Sequence, residues 1–213
     1  MKVGILFDLD GTLLDTLQDL TDATNYALGT HGYPERSISE IRRFVGNGAA
    51  NQIRLSVPEG EDFQPVLATY KPYYDAHCQV KTAPYPGVLE ALAELRKDFP
   101  VAVVSNKPDS AVKVLSRQYF GDIYARGEAA DCPRKPAPDM VYRTMEALGV
   151  EKCVYVGDSE VDVKTAKNAG VPCLTVLWGF RDRDVLTASG AEYFCEKTEN
   201  LAGDVRKLID TIK

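Results

Sequence analysis

Val3-Gly4-Ile5-Leu6-Phe7-Asp8-Leu9-Asp10-Gly11-Thr12-Leu13 decides how the rest of the chain is read. Its first five residues are apolar or small and too few for a helix, so they predict a strand buried on both faces. The run stops at a pair of acids two residues apart and a glycine, where a strand would hand over to a turn. The same grammar recurs downstream at 101–104 (Val-Ala-Val-Val), 153–156 (Cys-Val-Tyr-Val) and 173–177 (Cys-Leu-Thr-Val-Leu). Segments of helical spacing at 88–96, 110–118, 138–148 and 160–168 separate these runs, and Gly149 and Gly170 follow two of them as predicted C-caps. Alternation of this kind predicts an α/β fold, a Rossmann-like parallel-sheet core with helices on both faces.

Residues 15–83 break the pattern. They hold no convincing buried strand, only helical stretches near 17–28, 39–55 and 63–79, separated by Gly32-Tyr33-Pro34 and Pro58-Glu59-Gly60. The expectation is a helical cap domain over 15–83, inserted into a core made of 1–14 and 84–213. The chain would re-enter that core near Pro84-Tyr85-Pro86-Gly87, which puts the cap over the carboxyl end of the first strand.

Composition excludes several classes. The 213 residues are 45% hydrophobic, enough for a buried core, and the net charge of −6 speaks against a nucleic-acid partner. Lys and Arg are scattered with no patch for a membrane surface, and no segment approaches the roughly 18 apolar residues of a span. Asp8 and Asp10 interrupt the first apolar run at once, so no secretory signal is expected. The five cysteines form no C-x-x-C pair, and only His31 and His77 could join them as ligands, so neither zinc nor a disulfide framework is expected. These features predict a cytoplasmic protein, a monomer or weak homodimer, acting on a small molecule.

Ligands of open parallel sheets bind outside the carboxyl ends of the strands. Asp8-Leu9-Asp10-Gly11-Thr12 follows the first run, Ser105-Asn106-Lys107 the second, and Gly157-Asp158-Ser159-Glu160-Val161-Asp162 the one ending at Val156. Asp8, Asp10 and Asp158 gathered at one edge would repel each other unless a divalent cation joined them, and magnesium prefers such hard oxygen donors. With the cation present, an acidic protein can accept a phosphorylated substrate. Asp8 can then attack phosphorus, while Asp10 gives and later takes the proton that the leaving group and water require. Gly11 permits a tight turn that faces backbone N–H groups and the Thr12 hydroxyl toward phosphate, and Ser105 adds a hydroxyl with Asn106 beside it. Lys135, between Arg134 and Pro136, is the candidate cation for the phosphoryl oxygens; Arg134 and Lys107 are the competing ones.

Asp8-Leu9-Asp10-Gly11-Thr12-Leu13, Ser105, Lys135 with its prolines, and Gly157-Asp158-Ser159 with Asp162 resemble the four motifs of the haloacid dehalogenase superfamily, in order and over nearly the whole chain. The resemblance implies Asp8 as nucleophile, Asp10 as acid/base, and Ser105 and Lys135 at the phosphoryl group. It also implies a magnesium ion held by the Asp8 side chain, the Asp10 backbone carbonyl and Asp158, with Asp162 orienting a metal water or the lysine. Dehalogenating members lack the second aspartate, so Asp10 implies phosphoryl transfer. Within the superfamily, Phe44-Val45-Gly46-Asn47-Gly48 and Trp178-Gly179-Phe180-Arg181 resemble segments of the phosphoglycolate-phosphatase-like group. Gly46, Asn47 and Gly48 would present N–H groups to an anionic part of the substrate. A phosphomutase of the β-phosphoglucomutase type and a pyrophosphatase share these motifs and remain alternatives, whereas a phospho-receiver switch would lack such a cap.

Overall fold

The computed structural model describes residues 2–212; Met1 and Lys213, the outer bounds expected for the core, lie outside them. β1 (Val3–Phe7) is buried at every residue. A two-residue strand β2 (Leu14–Asp15) leads into four consecutive helices: α1 (Leu17–Thr30), α2 (Ile38–Phe44), α3 (Ala49–Ser56) and α4 (Gln64–His77). β3 (Ala83–Pro84) returns antiparallel to β2, with Leu14 opposite Pro84, so the outgoing and returning chain are tied at the neck of the helical insert.

Strand and helix then alternate: α5 (Val88–Leu95), β4 (Val101–Pro108), α6 (Asp109–Phe120), β5 (Tyr124–Glu128), α7 (Asp139–Leu148), β6 (Lys152–Gly157), α8 (Glu160–Ala169), β7 (Cys173–Val176), α9 (Arg183–Ala188), β8 (Tyr193–Cys195) and α10 (Leu201–Asp210). Six strands form one parallel sheet in the order β5-β4-β1-β6-β7-β8. Successive side chains of a strand face opposite ways. Ile5 and Phe7 accordingly join a core with Leu92 of α5, Leu115 of α6 and Val205 of α10. Leu6 joins a separate core on the other face with Val141 of α7 and Ala166 of α8. That two-sided cover is why the strands read as unbroken apolar runs.

Gly149 and Gly170 end α7 and α8 as the pattern predicts. Three expectations need correction. The stretch 39–55 is two helices, broken at residues 45–48, where Gly46 and Gly48 both take positive φ. β4 runs four residues past the apolar segment. β5 and β8 were not predicted, because each is a short edge strand with much of its surface half-buried or exposed and no continuous apolar run. Among the described residues, no helix is long and apolar enough to cross a membrane.

Candidate active site

Register alone brings three loops together. Phe7 lies opposite Val103 of β4 and Val156 of β6, so the segments beginning at Asp8, Ser105 and Asp158 leave the sheet side by side. The β4–β5 ladder slips between Val104, paired with Arg126, and Pro108, paired with Glu128. A bulge of this kind re-aims side chains, and Ser105, Asn106 and Lys107 all line the cavity above Asp8.

Asp8 is buried, and its Oδ1 accepts from the Leu9 N–H at 2.7 Å and lies 3.0 Å from Lys135 Nζ. Oδ2 has no protein donor among the described residues. Lys135 has 1% of its side chain exposed and also donates to Asp162 Oδ1 at 2.7 Å and to the Tyr155 hydroxyl at 3.0 Å. The second oxygen of Asp162 accepts from the N–H and hydroxyl of Ser159, closing the cap that starts α8. Asp158 Oδ1 accepts from the Thr12 hydroxyl at 3.1 Å and Oδ2 from the Phe180 N–H at 2.7 Å. Two glycines make this crowding possible. A Cβ at Gly11, whose φ is +79°, would lie 2.3 Å from Asp158 Oδ2, and one at Gly179 would lie 2.3 Å from Asp158 Cβ.

Electrostatics follow from burial. Burial, reinforced by Asp162 and opposed by Lys135, pushes the Asp8 carboxyl up to about 7. Burial and then the charges of Asp162 and Asp8 hold Asp158 well above the ordinary carboxylate range. Burial would pull the Lys135 ammonium down, but Asp162 and Asp8 outweigh it and keep the lysine charged.

Asp8, Asp158 and Asp162 each offer an oxygen within 4.8 Å of the others. Adjacent buried carboxylates that resist ionising are the condition a hard divalent cation relieves, and an all-oxygen set suits magnesium. The residues therefore fit the implied ion. Asp162 is already engaged by Lys135 and Ser159, so Asp8 and Asp158 are the better placed pair. The Asp10 carboxylate turns away, accepting from Thr16 at 2.7 Å and from Lys107 at 2.8 Å on each oxygen, which leaves only its carbonyl for a metal.

Some candidates stand differently from the sequence reading. The Thr12 hydroxyl lies on Asp158 rather than open to a phosphate. Asn106 uses its amide to bind the Lys135 backbone at 2.8 and 3.0 Å and the Gly46 carbonyl at 3.1 Å, so it joins the lysine loop to the helical insert. Gly46 and Gly48 line the cavity whereas Asn47 does not. Arg134 pairs with Glu128 at 3.6 Å outside the cavity.

Lys107, set behind Lys135 from sequence, enters the site with 2% of its side chain exposed; it is two residues from Ser105, and strand alternation puts the two on one face. Tyr70 and Tyr74 of α4 and Arg181 also line the cavity, and Tyr155 supports Lys135 from within β6. The tyrosines had a legible signal in their spacing of four, which places them on one helix face. Nothing local distinguishes Tyr155 from any other core residue. Trp178 donates its indole N–H to the Thr12 carbonyl at 3.0 Å, bracing the loop that follows Asp8.

Comparison with known proteins agrees with this geometry. The model of the family described as haloacid dehalogenase-like hydrolase matches residues 5–176. A phosphoglycolate phosphatase of Rhodobacter capsulatus is 34% identical over 191 residues, covering 85% of this chain and 87% of that protein. The phosphoglycolate phosphatase of Vibrio parahaemolyticus is 32% identical, covering 92% and 93%. A crystal structure from Lactobacillus delbrueckii subsp. bulgaricus, named as a candidate phosphoglycolate phosphatase, superposes with a TM-score of 0.89 at 38% identity, covering 95% of this chain and 97% of that one. The chain belongs to the haloacid dehalogenase-like hydrolases, as an enzyme similar to the family's phosphoglycolate phosphatases.

Proposed function

We propose that the protein is a magnesium-dependent phosphomonoesterase that forms an aspartyl-phosphate on Asp8, with a small phosphorylated acid such as 2-phosphoglycolate as substrate. The observation that carries this is one buried cluster in which Asp8 has one oxygen clamped by Lys135 and Leu9 and the other free, beside Asp158 and within reach of Asp10's loop. Asp8 and Asp158, with the Asp10 carbonyl, would hold magnesium, which when bound neutralises the phosphoryl charge facing these acids. Lys135 and Ser105 face the equatorial oxygens. The free oxygen of Asp8 attacks phosphorus, the ester P–O bond breaks, and Asp10 delivers a proton to the departing alkoxide. Asp10 then takes a proton from water, the water oxygen bonds to phosphorus, and the acyl-phosphate bond breaks to return Asp8 and free phosphate.

The helical insert lies over the site, with Val45, Gly46, Gly48, Tyr70 and Tyr74 lining the cavity, and would close on bound substrate and open for its release. The relatives' names favour the phosphatase of a small acid over a hexose-phosphate mutase. A panel of phosphorylated metabolites with magnesium, including 2-phosphoglycolate, pyrophosphate and hexose phosphates, tests the reading. Phosphate release from 2-phosphoglycolate should be abolished in Asp8→Asn; full turnover by that variant removes Asp8 as nucleophile.

A further inference from the structure

We propose that Lys107 recognises a carboxylate on the leaving group, making the enzyme selective for phosphate esters of 2-hydroxy acids over neutral esters of equal size. The inference rests on the phosphatase reading and extends it to the residue that selects the substrate.

Two buried ammonium groups lie at the site on different acids, and of the two only Lys107 lines the cavity. Lys135 is on Asp8, the attacking side. Lys107 is on Asp10, with Nζ 2.8 Å from both carboxylate oxygens. In-line displacement sends the leaving oxygen to the side opposite the nucleophile, and an acid that protonates it must stand within hydrogen-bond reach. Asp10 therefore marks where the leaving oxygen sits, and Lys107 is fixed beside that point. In the ester of a 2-hydroxy acid, the carboxyl carbon is two bonds from the ester oxygen, which brings the carboxylate to the ammonium.

The lysine has capacity for it. An ammonium carries three donors, and among the described residues the only acceptors on Lys107 are the two Asp10 oxygens. Beneath it, Tyr74 of α4 places its ring 4.7 Å from Nζ. The Tyr74 hydroxyl is buried with no hydrogen-bond partner, a second polar group in the same wall. A charge-assisted bond from a buried ammonium is strong, and a neutral leaving group would forgo it. Because Tyr74 belongs to the helical insert and Lys107 to the sheet, the subsite is complete only when the insert lies close.

The test compares kcat/KM for 2-phosphoglycolate with that for 2-hydroxyethyl phosphate, which has similar length and no carboxylate. Wild-type enzyme should prefer the acid by at least about tenfold, and Lys107→Met should cut that preference by about tenfold or more, in line with the rejection seen when a built hydrogen bond is missing. The ratio is the readout because Lys107 also holds Asp10, so absolute rates fall for both substrates. An unchanged ratio in Lys107→Met, or equal wild-type use of both esters with magnesium, overturns the subsite while leaving the phosphatase intact. Phosphate release that survives in Asp8→Asn instead overturns the underlying reading. Wild-type protein gives the answer without a substitution: glycolate should compete with 2-phosphoglycolate where ethylene glycol does not, and equal inhibition by the two also overturns the subsite.

Discussion

Replacing Lys135 by methionine should destabilise the protein through the two carboxylates it leaves behind. The lysine is 3.0 Å from Asp8 and 2.7 Å from Asp162, with 1% of its side chain exposed. Removing one partner of a buried ionic group costs about 3–5 kcal/mol because the other charge is left uncompensated. At about 2.1 cal/mol/K per residue, a chain of 213 residues unfolds with an entropy of about 450 cal/mol/K, so the melting temperature should fall by about 7–11 °C. The loss must depend on pH. Asp8 already stands at about 7 with the lysine present, above its unfolded value. A carboxyl raised on folding takes up its proton in the folded state first, so stability rises as pH falls through that window. Without Lys135 the folded value rises further, and the deficit against wild type should be large near about pH 8 and shrink near about pH 5.5. Thermal melts in a chelator at both pH values, with Asp162→Asn added to the lysine variant, make the measurement. Equal deficits at the two pH values, with no recovery from Asp162→Asn, would refute the charge argument and leave lost packing as the cause.

Other outcomes follow from the same cluster. Magnesium must find Asp8 and Asp158 ionised, so binding near about pH 6.5 should release on the order of one proton, seen calorimetrically as a heat that changes with buffer; buffer-independent heat at that pH contradicts the raised carboxyls. Gly11→Ala would force Asp158 aside and strain a positive φ, so magnesium affinity should drop at least about tenfold while the protein still folds at a cost of about 1–3 kcal/mol. Unchanged affinity would show that Asp158 is not held in place by the bare backbone. Arg181 donates to the Arg42 and Val45 carbonyls at 2.7 Å each and is anchored by Glu160 at 2.8 Å. Arg181→Gln should therefore speed amide exchange at residues 42–48 by at least about tenfold, and protection equal to wild type would sink that role.

What the sequence could disclose was governed by how far each feature depends on contacts distant along the chain. β1, β6 and β7 are legible because burial on both faces demands apolar runs, and the helix ends at Gly149 and Gly170 because turn chemistry is local. β5 carries Arg126 and Glu128 at the sheet edge, where one neighbour and open solvent impose no such pattern. The break between α2 and α3 was marked by Gly46 and Gly48, yet apolar spacing on both sides carried the helical reading across it. Asp8, Asp10 and Asp158 follow apolar runs directly, so strand ends alone predict their company. Asn106 does not follow from that rule, since alternation along β4 puts Ser105 and Lys107 on one side and Asn106 on the other. All three line the cavity where the ladder slips beyond Val104, and no residue in 105–107 announces a slip that is defined by its pairing with β5.

The irregular strand also ties both ammonium groups of the site to one stretch of chain. Lys135 comes from a loop pinned by Asn106, which is itself in the bulge and also grips the Gly46 carbonyl of the insert. Lys107, one residue on, reaches Asp10 and lies over Tyr74 of α4. Two consecutive residues of one irregular strand thus touch the Lys135 loop, Asp10 and the helical insert. If the insert opens as proposed, it would strip Gly46 from Asn106 and Tyr74 from Lys107 together, which would couple the positions of both lysines to closure. The coupling predicts that Asn106→Ala lowers kcat more than it raises KM, because it loosens the lysine that meets developing charge rather than the surface that first meets substrate. A rise in KM alone, with kcat intact, would separate the bulge from the chemistry and leave the two lysines independent.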